Sequence, residues 1–190
     1  HAASSPLKKS VLNELRDSFE SDAANPSAIH KLGKYQQASL LKAKISFLKS
    51  LSKERSVLSD QFLFTSSATE SNTTIIQGLS LKRGDQVFYS EGDHASLVQN
   101  VKKLENLGIT TTVIPLTNQG LVNKEWLAEN LSSSVKLFII SHVNNHNGSI
   151  QDLDNLSKLI KEMTPQCHLH IDAVQSYGSF EIDVVELKID

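Results

Sequence analysis

From residue 61 to residue 173 the sequence alternates between short apolar runs and amphipathic stretches joined by brief connections. No other feature constrains the fold as tightly. The runs at 61–65, 86–90, 110–115, 136–142 and 168–173 read as strands, and the stretches at 68–81, 95–106, 124–131 and 153–163 read as the helices between them. Such alternation predicts an α/β fold, a mostly parallel sheet covered by helices on both faces in three layers. Phe138-Ile139-Ile140 is continuously apolar, as a strand covered on both faces should be. Gly108 stands where a helix C-cap glycine belongs, and Asn118-Gln119-Gly120 marks a turn. Upstream, Ser5-Pro6 reads as an N-cap with proline in the first turn, opening a helix to about Phe19. Asn25-Pro26-Ser27 is a turn, and a long amphipathic helix follows from about Lys31 to Leu51. Arg83-Gly84-Asp85 invites an adhesion-motif reading, but a tight polar turn between helix and strand explains it.

Composition narrows the partners. A chain of 190 residues with 39% hydrophobic content can bury a core as one domain. A formal net charge of −2 gives no electrostatic ground for a nucleic-acid or anionic-membrane partner. No apolar run has the length of a membrane span. The single cysteine, Cys167, excludes an internal disulfide framework and fits a reducing compartment, so the cytoplasm is expected. The abrupt opening His1-Ala-Ala-Ser-Ser reads as a trimmed start.

In open α/β sheets, ligands bind beyond the C-terminal ends of the strands. Chemically capable residues gather at those positions. Ser66, Ser67, Ala68 and Thr69 follow the first run and open a helix. Free backbone N–H groups and hydroxyls there would form an anion seat suited to a phosphate, although a capping box accounts for part of the same pattern. Asp93 and His94 follow the second strand, and Asn144, Asn145 and His146, with Gly148 behind them, close the strand at 136–142. His94 offers a flat ring that could stack on an aromatic cofactor or shuttle a proton. Asp172 ends the last strand with Gln175 just beyond. A carboxylate terminating an apolar strand needs a cationic or hydrogen-bonding partner, which a protonated heterocyclic nitrogen would supply; a helix N-cap is the competing explanation. A zinc site is disfavoured. His168, His170 and Asp172 are spread along one strand, too far apart to share an ion at about 2.0–2.2 Å, and His142 and His146 flank a strand end.

Taken in order, these segments resemble the large, cofactor-binding domain of the cysteine desulfurases, in the class V aminotransferase group of fold type I pyridoxal-phosphate enzymes. Ala2-Ala-Ser-Ser-Pro6 is similar to the family's Asn-Ala-Ala-Thr-Thr-Pro opening, and Asn25-Pro-Ser-Ala-Ile-His30 with Gly33 resembles Asn-Pro-Ser-Ser-x-His-x-x-Gly. Phe64-Thr-Ser-Ser-Ala-Thr-Glu-Ser-Asn72 resembles Phe-Thr-Ser-Gly-Ala-Thr-Glu-Ser-Asn, and Asp93-His94 stands where the family has Glu-His. His142-Val-Asn-Asn145 with Gly148 and Gln151 resembles His-Val-Asn-Asn-Glu-x-Gly-x-x-Gln. His170-Ile-Asp-Ala-Val-Gln175 resembles His-Val-Asp-Ala-Ala-Gln.

The resemblance implies pyridoxal 5'-phosphate as cofactor and sulfur removal from L-cysteine as the activity of the complete protein. Ala68 and Thr69 would hold the phosphate, His94 would stack on the ring, and Asp172 would pair with the ring nitrogen. Gln175 would reach the ring hydroxyl, and Asn145 would lie near that hydroxyl and the substrate carboxylate. A homodimer and a sulfur-acceptor protein are the implied partners. Residues 1–190 would form most of the large domain, with the helices of about 6–52 as an arm or small-domain element. The Schiff-base lysine, the sulfur-accepting cysteine and the small C-terminal domain are expected beyond Asp190, so the segment alone should be inactive. Lys188 and Cys167 are poor substitutes. Ser67 replaces the family's phosphate-turn glycine, His146 its glutamate, and Asn147 an apolar residue. Another class V aminotransferase, a selenocysteine lyase, or a truncated partner-binding module without catalysis is the alternative.

Overall fold

The computed structural model describes residues 5–21, 24–52 and 62–190. The chain divides into two compact units, His1–Leu63 and Phe64–Asp190.

The first unit contains α1 (Lys9–Glu20) and α2 (Lys31–Leu51). α1 begins at Lys9 and not at the expected Ser5-Pro6; its N-cap, Lys8, supplies no side-chain hydrogen bond. Nothing in α1 is buried, so no packing pins an earlier start. The entry to α2 is better defined. Asn25 Oδ1 accepts from Ser27 N at 2.8 Å, and the His30 ring Nδ1 accepts from Gly33 N at 3.3 Å. A Cβ at Gly33 would stand 2.3 Å from the Ala28 carbonyl oxygen, so only glycine lets the 25–28 turn approach the helix.

Strand–helix alternation organises the second unit: α3 (Ala68–Gly78), β1 (Gln86–Tyr89), α4 (Ala95–Leu104), β2 (Thr110–Val113), α5 (Lys124–Asn130), β3 (Val135–Ser141), α6 (Leu153–Met163) and β4 (His168–Asp172). The four strands form one sheet in the order β2-β1-β3-β4, and every pairing is parallel. Period-two alternation sorts the strand side chains between two cores. Val87 and Tyr89 of β1 and Leu137 and Ile139 of β3 pack with Ile76, Leu97 and Val101 of α3 and α4. Phe88, Phe138 and Ile140 pack with Leu127, Leu156 and Ile160 of α5 and α6 on the opposite face. The expected three layers are therefore present.

Further elements depart from expectation, α3 among them, which ends at Gly78 and not at residue 81. No strand forms over 62–65, and Gln61 lies outside the described residues. Leu63 and Phe64 are 69% and 53% exposed, and no strand of the sheet pairs with them. A short apolar run becomes a strand only when a sheet edge accepts its backbone. β2 stops at Val113, short of the expected residue 115, because Pro115 brings no N–H to the ladder. The Arg83-Gly84-Asp85 segment is a turn, closed by Asp85 N donating to Lys82 O at 2.9 Å.

Strand order locates the binding crevice. The chain leaves β1 for β2 on one side, then returns to place β3 on the other. The connections diverge between β1 and β3, and the crevice opens beyond their C-terminal ends. Gln151, 5% exposed, braces the loop after β3. It donates to Gly120 O at 2.8 Å and accepts from Val122 N at 3.0 Å. Gly120 has φ 76°, and a Cβ there would lie 2.9 Å from Asn147 Nδ2. Gly120→Ala is expected to cost about 1–2 kcal/mol for the left-handed backbone alone. Urea denaturation would read this as a lowered midpoint; an unchanged midpoint would refute the strain.

Candidate functional site

The helix N-terminus at Ser67 is capped from within. Ser67 Oγ accepts from Glu70 N at 3.3 Å, while Glu70 Oε2 accepts from Ser66 Oγ and from Ser66 N, both at 2.6 Å. The Ser66 hydroxyl, and then its backbone N–H, hold the Glu70 carboxyl below the usual range. This variant of the capping box engages both serine hydroxyls. It leaves the first two helical N–H groups, those of Ala68 and Thr69, without an acceptor inside the helix. Thr69 is exposed and Ala68 half-buried. An anion seat here would rest first on these backbone N–H groups; the Ser66 hydroxyl, expected as a further donor to it, is instead held by Glu70.

One helical turn beyond Ala68, about 6 Å along the axis, Asn72 faces inward and is 3% exposed. Its Nδ2 donates to Asp172 Oδ2 at 2.9 Å and to Ser96 Oγ at 3.0 Å. Its Oδ1 lies 2.9 Å from His170 Nε2. Ser96 Oγ is in turn 2.8 Å from His94 Nδ1, which also accepts from Ser96 N at 3.1 Å. Since Nδ1 of His94 takes a backbone N–H, the neutral ring carries its proton on Nε2. The hydrogen bonds then run one way: His170 to Asn72, Asn72 to Asp172 and Ser96, Ser96 to His94. Residues from β4, α3 and the start of α4 join in one network.

Asp172 occupies the C-terminal end of β4, in register with Ser141 of β3. Its Oδ1 accepts from Val174 N at 3.0 Å, an Asx-type contact that opens the turn after the strand. No helix follows within the described residues up to Asp190, so a helix N-cap role does not arise. His94 is the N-cap of α4 and is exposed. Gln175 is half-buried in the turn after β4, and Asn145 is half-buried in the loop after β3. The network reaches His94 and Asp172, and starts one turn from Ala68 and Thr69. Gln175 and Asn145 flank it on separate loops.

Other polar residues fix the loops. Asp93 Oδ2 accepts from Ser141 N at 2.9 Å, and burial pushes its pKa up. Asn144 Nδ2 donates to Gly92 O at 2.8 Å, while its Oδ1 accepts from His146 N at 2.9 Å. These contacts tie the loop after β1 to the loop after β3. His142 is buried against Phe180 with ring centroids 5.4 Å apart, and burial lowers its pKa. Cys167 is buried and its thiol is pushed up to about 11, so it is no nucleophile at neutral pH. No group of three or more His, Cys, Asp or Glu side chains among the described residues is placed to hold a metal ion.

Sequence reasoning gave no site role to Asn72, Ser96 or His170, although it weighed His170 as a metal ligand and included Asn72 and His170 in the family-like motifs. A signal was available for Asn72: asparagine is a poor helix former, and on the face shared with Ile76 it must find partners when buried. The donor set suits pyridoxal phosphate. Two N–H groups at a helix N-terminus match a phosphate, and a carboxylate supported from one side by an amide can still accept a pyridinium N–H.

Comparisons with known proteins show the family and the fold. The aminotransferase class-V family model matches residues 1–190. A cysteine desulfurase IscS of Dictyoglomus turgidum is 31% identical over 193 aligned positions, covering 100% of this chain and 48% of its own length. Among solved structures, a NifS-like protein aligns over 100% of this chain and 52% of its own, with TM-score 0.91 and 25% identity. SspA in complex with cysteine aligns over 100% of this chain and 54% of its own, with TM-score 0.84 and 28% identity. The chain spans about half the length of the curated relatives it matches. With its whole length covered by the family model, the chain belongs to the class-V aminotransferases.

Proposed function

We propose that this chain is the cofactor-binding segment of a cysteine desulfurase, which removes sulfur from L-cysteine with pyridoxal 5'-phosphate. The observation that carries the proposal is the continuous set of hydrogen bonds linking Asp172, Asn72, Ser96 and His94 one helical turn from the Ala68 and Thr69 N–H groups. Bound pyridoxal phosphate supplies an electron sink for negative charge developing on the amino-acid substrate. The N–H groups of Ala68 and Thr69 bind the phosphate. Asp172 holds a proton on the ring nitrogen. His94, with Nδ1 accepting from Ser96 N, packs against the ring and is available to move a proton at Nε2. Gln175 and Asn145 orient the ring hydroxyl and the substrate carboxylate.

Residues about 6–52 contribute an arm element. The complete protein is a cytoplasmic homodimer that passes sulfur to an acceptor protein. Cys167, buried with a raised pKa, supports assigning the sulfur-accepting role elsewhere. Among the described residues no helix is long and apolar enough to cross a membrane.

The visible spectrum of the full-length protein tests the reading. A bound pyridoxal chromophore that changes on adding L-cysteine, with sulfide appearing under thiol reductant, is expected. A protein that stays colourless after incubation with the cofactor would refute it. A chromophore that responds only to selenocysteine or to transamination partners would assign a sister activity of the family.

A further inference from the structure

We infer that Asn72, oriented by His170, is a positioning residue that aims the Asp172 carboxylate at the ring nitrogen and couples it to the His94 ring. This rests on the proposed pyridoxal-phosphate site and adds residues to which no ligand contact is assigned. A primary amide has two faces, and only one suits Asp172. Nδ2 toward the carboxylate gives a charge-assisted hydrogen bond; Oδ1 toward it would set two acceptors against each other. A second contact, on the other side of Asn72, agrees with this choice. His170 Nε2 lies 2.9 Å from Asn72 Oδ1 and, protonated there, donates to it. That donation holds the amide in the orientation that places Nδ2 2.9 Å from Asp172 Oδ2 and 3.0 Å from Ser96 Oγ.

The backbone holds the arrangement in place. His170 and Asp172 point to the same side of β4, two residues apart, so one amide from α3 can bridge them. Val174 N fixes the other oxygen of Asp172 at 3.0 Å. The carboxylate is gripped at both ends of its plane and keeps spare lone pairs for a ligand. Through Ser96 Oγ, the same amide supports the His94 tautomer that the Ser96 backbone N–H already sets. One buried side chain thus coordinates the two groups expected to touch the cofactor ring, and it does so without touching the ring itself.

The role differs from general support of the fold in one measurable respect. If Asn72 acts through Asp172, its loss must weaken ligands with a ring nitrogen more than ligands without one. The probes are pyridoxine 5'-phosphate, which has no aldehyde and forms no bond to lysine, and its 1-deaza analogue, which keeps the phosphate and replaces the ring nitrogen with carbon. Dissociation constants for both are measured on the full-length protein by fluorescence quenching. The wild type is expected to prefer the pyridine by roughly tenfold or more, as a charge-assisted hydrogen bond allows. Asn72→Leu, close in size but without hydrogen-bonding groups, is expected to bring the two constants within about threefold of each other. His170→Leu should do the same, while His170→Gln, whose amide can still donate to Asn72 Oδ1, should restore the preference.

A wild type with no preference would refute the ring contact of Asp172, and with it the underlying reading. A wild type with the preference, kept in Asn72→Leu and in His170→Leu, would overturn the positioning role alone. Equal weakening of both probes with the ratio preserved would also overturn it, since that marks a structural residue. Should Asn72→Leu fail to fold, the His170 pair decides the question by the same ratio.

Discussion

Asp172→Ala in the full-length protein is expected to lower kcat/KM for L-cysteine by roughly a thousandfold, the rate equivalent of about 4 kcal/mol for leaving a charged partner unpaired. The expectation follows from where the carboxylate sits. It ends β4 beside the crevice between β1 and β3, and its local partners are the neutral donors Asn72 and Val174. Neither carries a positive charge, so the carboxylate remains available to neutralise a pyridinium. Asp172→Asn separates charge from packing. Its oxygen can still accept from Val174 N, yet it cannot neutralise a cation. Both variants should be folded by circular dichroism, and both should show the loss. Near-normal activity in Asp172→Asn would remove the electrostatic role.

The second large effect concerns stability. Phe138→Ala is expected to cost about 3–5 kcal/mol, because truncating a buried phenylalanine loses transfer energy and leaves a cavity. Phe138 is fully buried in the middle of β3, pairing with Phe88 on one side and Leu169 on the other. Its ring lies in the core beneath α5 and α6, where Leu127 and Ile160 are equally inaccessible. Urea denaturation of the protein should show a lowered midpoint with little change in slope. A loss below about 1 kcal/mol would mean that the core collapses around the gap.

These effects trace to features of differing legibility in the sequence. The apolar run through Phe138-Ile139-Ile140 announced a strand covered on both faces, and the helices between strands were readable from their period. The strand expected at 61–65 failed because an apolar run carries no information about whether a sheet edge will accept it. The start of α1 failed for a related reason: Ser5-Pro6 is a valid local signal, but a helix with no buried residue has nothing to enforce it. At the site, residues at strand ends could be found from topology, which is how Asp172, His94, Gln175 and Asn145 came forward. Asn72, Ser96 and His170 could not, since their importance lies in contacts between α3, α4 and β4. Asn72 and Asp172 are separated by 100 positions yet lie 2.9 Å apart. Ser66 shows the opposite error: its hydroxyl matched a phosphate-binding pattern, and Glu70 claims it.

A crystal structure of the full-length protein with pyridoxine 5'-phosphate tests the central claim most directly. The ring nitrogen should lie about 2.7–2.9 Å from an Asp172 carboxylate oxygen, with the phosphate on the Ala68 and Thr69 N–H groups. A ligand bound elsewhere, or seated with its nitrogen turned away from Asp172, would contradict it.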